Sequence, residues 1–223
     1  MPKQKKDEPK KPKPKNKKAA CQPKRGRLIA LDGTSGPVLA EEAQRLARLC
    51  GEDAGWSLFD ASNTFHELGM TKSKTLTPTP RVLVLLYVSD LLFRLRWEIE
   101  PALQEGQSVV AAPYVQTAVA FGVAAGMSGE WLEELFSFAP APAATFRLKE
   151  KKKAKSDGKK GDRKRSDTDA AGYFEFCSTA LTRSMPGWNA AEVRAGMIDY
   201  FKKLEESNDI RKFGKKAPKD LAG

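Results

Sequence analysis

Apolar positions fall into two periods along this chain, and the two alternate. Leu28, Ile29, Ala30 and Leu31 form a short continuous apolar run, the pattern of a buried strand. Gly33 and Gly36 punctuate a turn. Ala43, Leu46, Ala47 and Leu49 then recur at helical spacing, with Glu41, Glu42, Arg45 and Arg48 on the wetter side. A turn at Gly51–Gly55 leads to a second strand, Trp56–Phe59, and Asp60–Thr64 reads as a loop. Lys72–Pro80 is polar and proline-bearing, a further connection. Arg81–Leu103 forms a long helix whose run VLVLLYVSDLLF is apolar nearly all round, which places it in the core or at an interface. Ser108–Ala112 is a third strand, broken by Pro113 and Tyr114, and Val115–Ala125 continues as a helix of small and apolar residues. Glu130–Phe136 is a short helix, Ala144–Leu148 a fourth strand and Gly172–Arg183 another helix. Asn189 is placed to cap a last helix with Val193, Met197, Tyr200, Phe201 and Leu204 on its core face. Strands alternating with helices predict an α/β fold, a parallel sheet with helices on both faces.

Composition refines this picture. The 223 residues fit one α/β domain with tails, and 40% hydrophobic residues suffice for a core. Residues 1–26 are dominated by lysine and proline and are expected to be a disordered basic tail, since so few apolar side chains cannot offset the entropy of ordering. The domain is expected over 27–208, with a flexible basic insert at about 149–170 and a polar tail over 209–223. No apolar stretch follows the N-terminal charges, which speaks against a signal peptide. The apolar helix is too short, and Asp90 too central, for a membrane span. No membrane partner and a cytoplasmic location are therefore expected. Cys21, Cys50 and Cys177 are odd in number and far apart, which argues against a disulfide framework or a metal cluster. The single histidine, His66, has no second metal-type ligand at motif spacing and reads as a loop residue.

The formal net charge of +11 is unevenly spread. Residues 1–27 carry 12 Lys or Arg against 2 acids, and residues 147–165 carry 11 against 3. The remainder is net acidic. Solubilising segments are the simplest reading of these runs, and contact with a polyanion or nucleic acid is the alternative. Neither run interleaves aromatics, so base stacking is not indicated.

Strand, glycine turn and helix over Arg27–Cys50 is the layout of a phosphate-binding loop, where backbone N–H groups and a helix N-terminus hold an anion. Counting Gly, four residues, Gly, Lys, Ser or Thr from Gly33 puts Val38, Leu39 and Ala40 at the last three places. Val38 does not easily take positive φ, Leu39 brings no charge to a phosphate, Ala40 offers no hydroxyl to Mg²⁺, and Pro37 has no N–H to give. From these residues alone an ordinary strand-to-helix turn is preferred.

The order of fragments resembles thymidylate kinase, a nucleoside monophosphate kinase of the phosphate-loop class, over about Arg27–Leu148 and more weakly over Gly172–Leu204. RLIALDGTSG is similar to that family's opening strand and EGxDGxGK[ST] loop, with Asp32 in place of Glu. LLYVSDLLFRLRWEIEP, from Leu85 to Pro101, resembles its LLFAADRAQH helix leading to I-x-PAL-x-x-G. Ile99, Pro101, Ala102, Leu103 and Gly106 match that end. SVVAAPYVQTAVAF resembles its DRY-x-x-S-x-x-A-Y segment, GEWL its next helix start, and TFRL its TLLLDV strand. The resemblance implies a three-layer α/β sandwich and a substrate pocket whose remnants are Asp90, Tyr114 and Thr117.

Departures from the family pattern fall on charged positions. DRY becomes Ala112-Pro113-Tyr114, so a metal-side carboxylate and a phosphate-side arginine are both replaced. The arginine after the aspartate of AADR becomes Leu91, the loop aspartate becomes Ser35, and the arginine of the REPGGT loop falls near Asp60. What remains is a degenerate loop, Gly33, Gly36, Leu39 and Ala40, with no catalytic residue assigned and no metal ligand. The expected reading is a kinase-fold protein without activity, acting by binding or interaction. ATP and Mg²⁺ would matter only with residual activity. A divergent dTMP kinase and a nucleic-acid-associated protein are the alternatives. As the family's dimers suggest, a homodimer through the Arg81–Leu103 helix is the expected self-association.

Overall fold

The computed structural model describes residues 25–60, 78–148 and 172–206. The expectations for the N-terminal tail up to residue 24, His66, residues 61–64, the start of the 72–80 connection, Cys21, the basic insert and the C-terminal tail lie outside those residues.

Among the described residues, four strands make one sheet: β1 (Leu28–Asp32), β2 (Gly55–Leu58), β3 (Val109–Ala112) and β4 (Ala144–Arg147), in the order β2-β3-β1-β4. Every pairing is parallel, with Ala30 opposite Ala111 on one side and Thr145 on the other. The apolar runs explain the strands, because a central parallel strand is covered on both faces. β1 is buried along its whole length. Leu28 and Ala30 face one apolar cluster, and Ile29 and Leu31 face a second, as the two-residue period of a strand requires.

Helix α1 (Gly36–Cys50) packs on the second face through Leu39, Ala43, Leu46 and Ala47. The first face is larger. It is covered by α2 (Pro80–Arg94), α3 (Glu100–Gln104), α4 (Val115–Ala124), α5 (Gly129–Leu135), α6 (Tyr173–Ser184) and α7 (Ala190–Glu206). The result is a three-layer α/β sandwich. Caps fall where hydroxyl and amide side chains precede helices: Thr79 accepts from Val82 N–H, Ser128 from Trp131 N–H, and Asn189 from Ala191 and Glu192 N–H.

Two sequence expectations shift. The second strand runs Gly55–Leu58, one residue earlier than expected, and Phe59 leaves it to stack on Tyr87 at 5.6 Å. The long helix is also not uniform. Between α2 and α3, Leu95–Ile99 forms a wider π-type turn in which Glu100 N–H reaches back to Leu95 C=O. Pro101 supplies the reason. It has no N–H for the Trp97 carbonyl and its ring would press on that group, so the ladder widens just ahead of it.

Candidate functional site

The carboxyl ends of β1 and β3 meet in a buried polar network. Asp32 ends β1, and its Oδ1 accepts three hydrogen bonds from the start of α4: Tyr114 N–H at 3.0 Å, Thr117 N–H at 2.9 Å and the Thr117 hydroxyl at 2.7 Å. Gly33 N–H lies 3.2 Å from the same Thr117 oxygen. Asp32 Oδ2 has no hydrogen-bond partner, and burial pushes this carboxyl above its ordinary value, against the pull of Thr117, Tyr114 and Arg147.

The network continues through backbone into α2. Tyr87 donates its hydroxyl to the carbonyls of Pro113 at 2.9 Å and Tyr114 at 2.5 Å. Arg94 donates to Pro113 C=O at 3.2 Å, to the Tyr87 oxygen at 3.2 Å and to Asp90 Oδ2 at 2.7 Å. Both charges of the Asp90–Arg94 pair are buried. Burial pushes the Asp90 carboxyl up, and Arg94 pulls it back. Asp90 lies on the buried face of α2, where Arg94 one turn on meets it.

The three pocket residues named from the sequence, Asp90, Tyr114 and Thr117, therefore belong to one connected network that also reaches Gly33. Their polar groups face other protein groups: the Tyr114 hydroxyl donates to Pro140 C=O at 2.7 Å, and burial pushes that phenol up. Around them Tyr87, Tyr173 and Phe59 interlock, with Tyr87 and Tyr173 ring centroids 4.5 Å apart.

The turn from β1 to α1 is short. Only Gly33, Thr34 and Ser35 lie between Asp32 and Gly36, so α1 begins ahead of Val38. Neither loop glycine is among those with left-handed φ, whereas an anion-cradling nest alternates right- and left-handed residues. Leu39 is 3% exposed and packs in the cluster between α1 and the sheet, and Ala40 is half-buried beside it. Gly36 N–H points instead at the Glu175 carboxylate, 3.2 and 3.3 Å from its two oxygens.

Sequence reading missed Tyr87, Arg94, Arg147, Glu175 and Arg194. The Asp90–Arg94 spacing of four on an apolar helix was a usable signal. Arg147, beside Asp32 in the sheet register, donates to Phe201 C=O and to Gln116, its guanidinium 4.4 Å from the Phe201 ring. Nothing local foretold that contact. Among the described residues there is no group of three or more metal-type ligands, and no helix is long and apolar enough to cross a membrane.

The sheet order, the β1–α1 turn and the α4 segment can be set beside known proteins. A probable thymidylate kinase of Pyrococcus abyssi is 30% identical over 128 residues, 53% of this chain and 62% of that protein. One of Pyrobaculum calidifontis is 36% identical over 127 residues, 54% of this chain and 63% of that protein. The solved thymidylate kinase of Ehrlichia chaffeensis superposes with a TM-score of 0.53 over 87% of this chain and 90% of its own, at 14% identity. The chain is similar in sequence to probable thymidylate kinases and shares the thymidylate kinase fold. The thymidylate kinase of Candida albicans gives a TM-score of 0.52 at 17% identity, over 86% of each chain. At such identities the structural likeness speaks for the fold. This thymidylate-kinase-like chain matches less than two thirds of the length of the curated relatives. No family model matches it.

Proposed function

We propose that this chain is a thymidylate-kinase-fold protein that acts by association and not by phosphoryl transfer. The supporting observation is Leu39. At the place counted for the phosphate-loop lysine stands a side chain packed into the core beneath α1. Phosphoryl transfer asks a protein for positioning and cations around the moving group. Losing one well-placed donor to developing charge costs roughly 10²–10³-fold in rate. Here Leu39, Ala40, Ala112 and Pro113 leave several such places without charge or hydroxyl. Nor do the residues suit Mg²⁺ and nucleotide phosphates: Gly36 N–H faces a carboxylate, and the loop glycines do not form a nest.

Two kinds of association fit. A homodimer is favoured by the outer face of α2 and its π-type extension, where Val82, Leu85, Phe93 and Trp97 recur three to eight residues apart and stay exposed. At 1.5 Å per residue that stripe is about 22 Å long. A polyanion partner is favoured by the charge of residues 1–27 and 147–165.

The test is an ADP-release assay with dTMP and ATP. No turnover above the enzyme-free background is expected. Turnover that falls on Thr117→Val would overturn the reading and favour a divergent dTMP kinase. Nucleic-acid binding that falls steeply with salt and shows little sequence preference would support the polyanion partner. Binding flat from low to physiological salt would exclude it.

A further inference from the structure

The N-terminus of α1 lacks its own anion. Its first turn holds no acidic residue, Ser35 makes no side-chain cap, and Pro37 has no N–H. The anion found there comes from the other end of the domain. Glu175, in the first turn of α6, receives Gly36 N–H in a fork, 3.2 and 3.3 Å from its two oxygens. Arg194 of α7 holds the same carboxylate at 3.3 Å and reaches Thr34 C=O, in the turn itself, at 3.3 Å. The Arg194 guanidinium lies 4.6 Å from the ring of Phe174, Glu175's neighbour. Carboxylate, guanidinium and turn thus close a loop of contacts across three elements.

Backbone packing reinforces this placement. A Cβ built on Gly36 would stand 2.2 Å from Gly172 Cα, and one built on Gly172 would stand 2.2 Å from Gly36 Cα. Both positions need glycine because the two main chains touch, with no side chain between them. The approach brings the start of α6 across the mouth of the β1–α1 turn. A carboxylate on an N-terminal helical N–H, paired to an arginine, has the charge and hydrogen-bonding geometry that such a terminus offers an oxyanion.

We propose that α6 is a built-in plug of the β1–α1 turn, in which Glu175 takes the place of a phosphate oxyanion and Arg194 latches it. The turn then binds the chain's own carboxylate in place of a nucleotide phosphate, and α6 and α7 are held to α1 by that contact. This deepens the association reading above and concerns the same turn, but it stands or falls by a different measurement.

The experiment uses the full chain and thermal melts in sulfate, inorganic phosphate or chloride at matched ionic strength. Wild type should gain from sulfate and phosphate only the general increment that excluded anions give a folded chain. Glu175→Gln keeps the shape, removes the charge and should lower Tm by roughly 3–6 °C in chloride. Sulfate and phosphate should restore at least half of that loss, by entering the vacated anion place. Arg194→Gln unlatches the carboxylate and should show a smaller loss with the same anion response; it decides the matter alone if Glu175→Gln does not fold. The proposal is overturned if these variants melt as wild type does, if their losses are the same in all three salts, or if wild type gains as much from sulfate as they do. Turnover by wild type in the ADP-release assay would sink the association reading while leaving the plug to be judged by the melts.

Discussion

The inner face of α2 buries Tyr87, Asp90 and Arg94, while the outer face of the same helix and its π-type extension leaves Phe93 60% and Trp97 66% exposed. Charges inside and large apolar side chains outside reverse the usual rule. The inner face is stable because every one of those groups has an assigned partner: Asp90 meets Arg94, Arg94 meets Pro113 C=O, and Tyr87 ties the Pro113–Tyr114 backbone. Among the described residues, the large apolar side chains of the outer face stay exposed. Hydropathy along the helix is nearly the same on both sides, so the difference lies in what each face packs against.

The strongest way to break the comparison is to unpair the inner face. Arg94→Met should cost about 3–5 kcal/mol of unfolding free energy, because it leaves the Asp90 carboxylate buried without its counter-ion. Adding Asp90→Leu should recover at least half of that loss, since an apolar pair replaces a buried ion pair at little cost. Urea denaturation of the wild type, both single variants and the double variant measures this. A purely additive double variant would contradict it.

Thr117→Val probes the other end of the network. It removes the hydroxyl that meets Asp32 and Gly33 and should cost about 1–3 kcal/mol by the same measurement. A smaller effect is expected from pH. Burial raises the Asp32 carboxyl above its ordinary 3.8, so the folded chain keeps this proton to higher pH than the unfolded chain. Its contribution to stability is full below 3.8 and is lost as pH rises through the raised value. Asp32→Asn removes that dependence. Relative to wild type the variant should gain stability as pH rises above 3.8. A difference that is flat or opposite in sign refutes the assignment.

The smallest effect on folding should come from the outer face. Phe93→Glu with Trp97→Glu should change monomer stability by less than about 1 kcal/mol, the range of exposed substitutions. Sedimentation should nevertheless move toward the monomer mass if that stripe is the homodimer surface. A large loss of stability without a change in mass would mean the face packs within its own chain.

Much of the fold was legible. Leu28–Leu31, Ser108–Ala112 and Ala144–Leu148 read as strands because a covered parallel strand needs an unbroken apolar run, and the structure places strands there. Asn189 read as a cap because amide side chains satisfy free helical N–H groups locally. The second strand came out one residue off, because Trp56 and Phe59 both suit a strand and only pairing with β3 chooses the register. The π-type turn went unread, although Pro101 was there to suggest it. In the site, the substitutions at Leu39 and Ala40 were visible by counting and the spacing of Asp90 to Arg94 was a local signal, whereas the partner of Gly36 was not visible.

By itself the sequence determined which segments are strands and helices, and their order. These follow from periodicity and from spacing within a few residues. The tertiary structure decided what occupies the turn after β1. Gly36 and Glu175 are 139 positions apart, and no local rule relates residues at that distance. Only the packing of α6 over α1, glycine against glycine, brings a carboxylate to that N–H. For Asp90 the spacing to Arg94 is local, but a lone acid on an apolar helix can face water or the core, and the carbonyl that holds Arg94 inside is that of Pro113, in the link between β3 and α4.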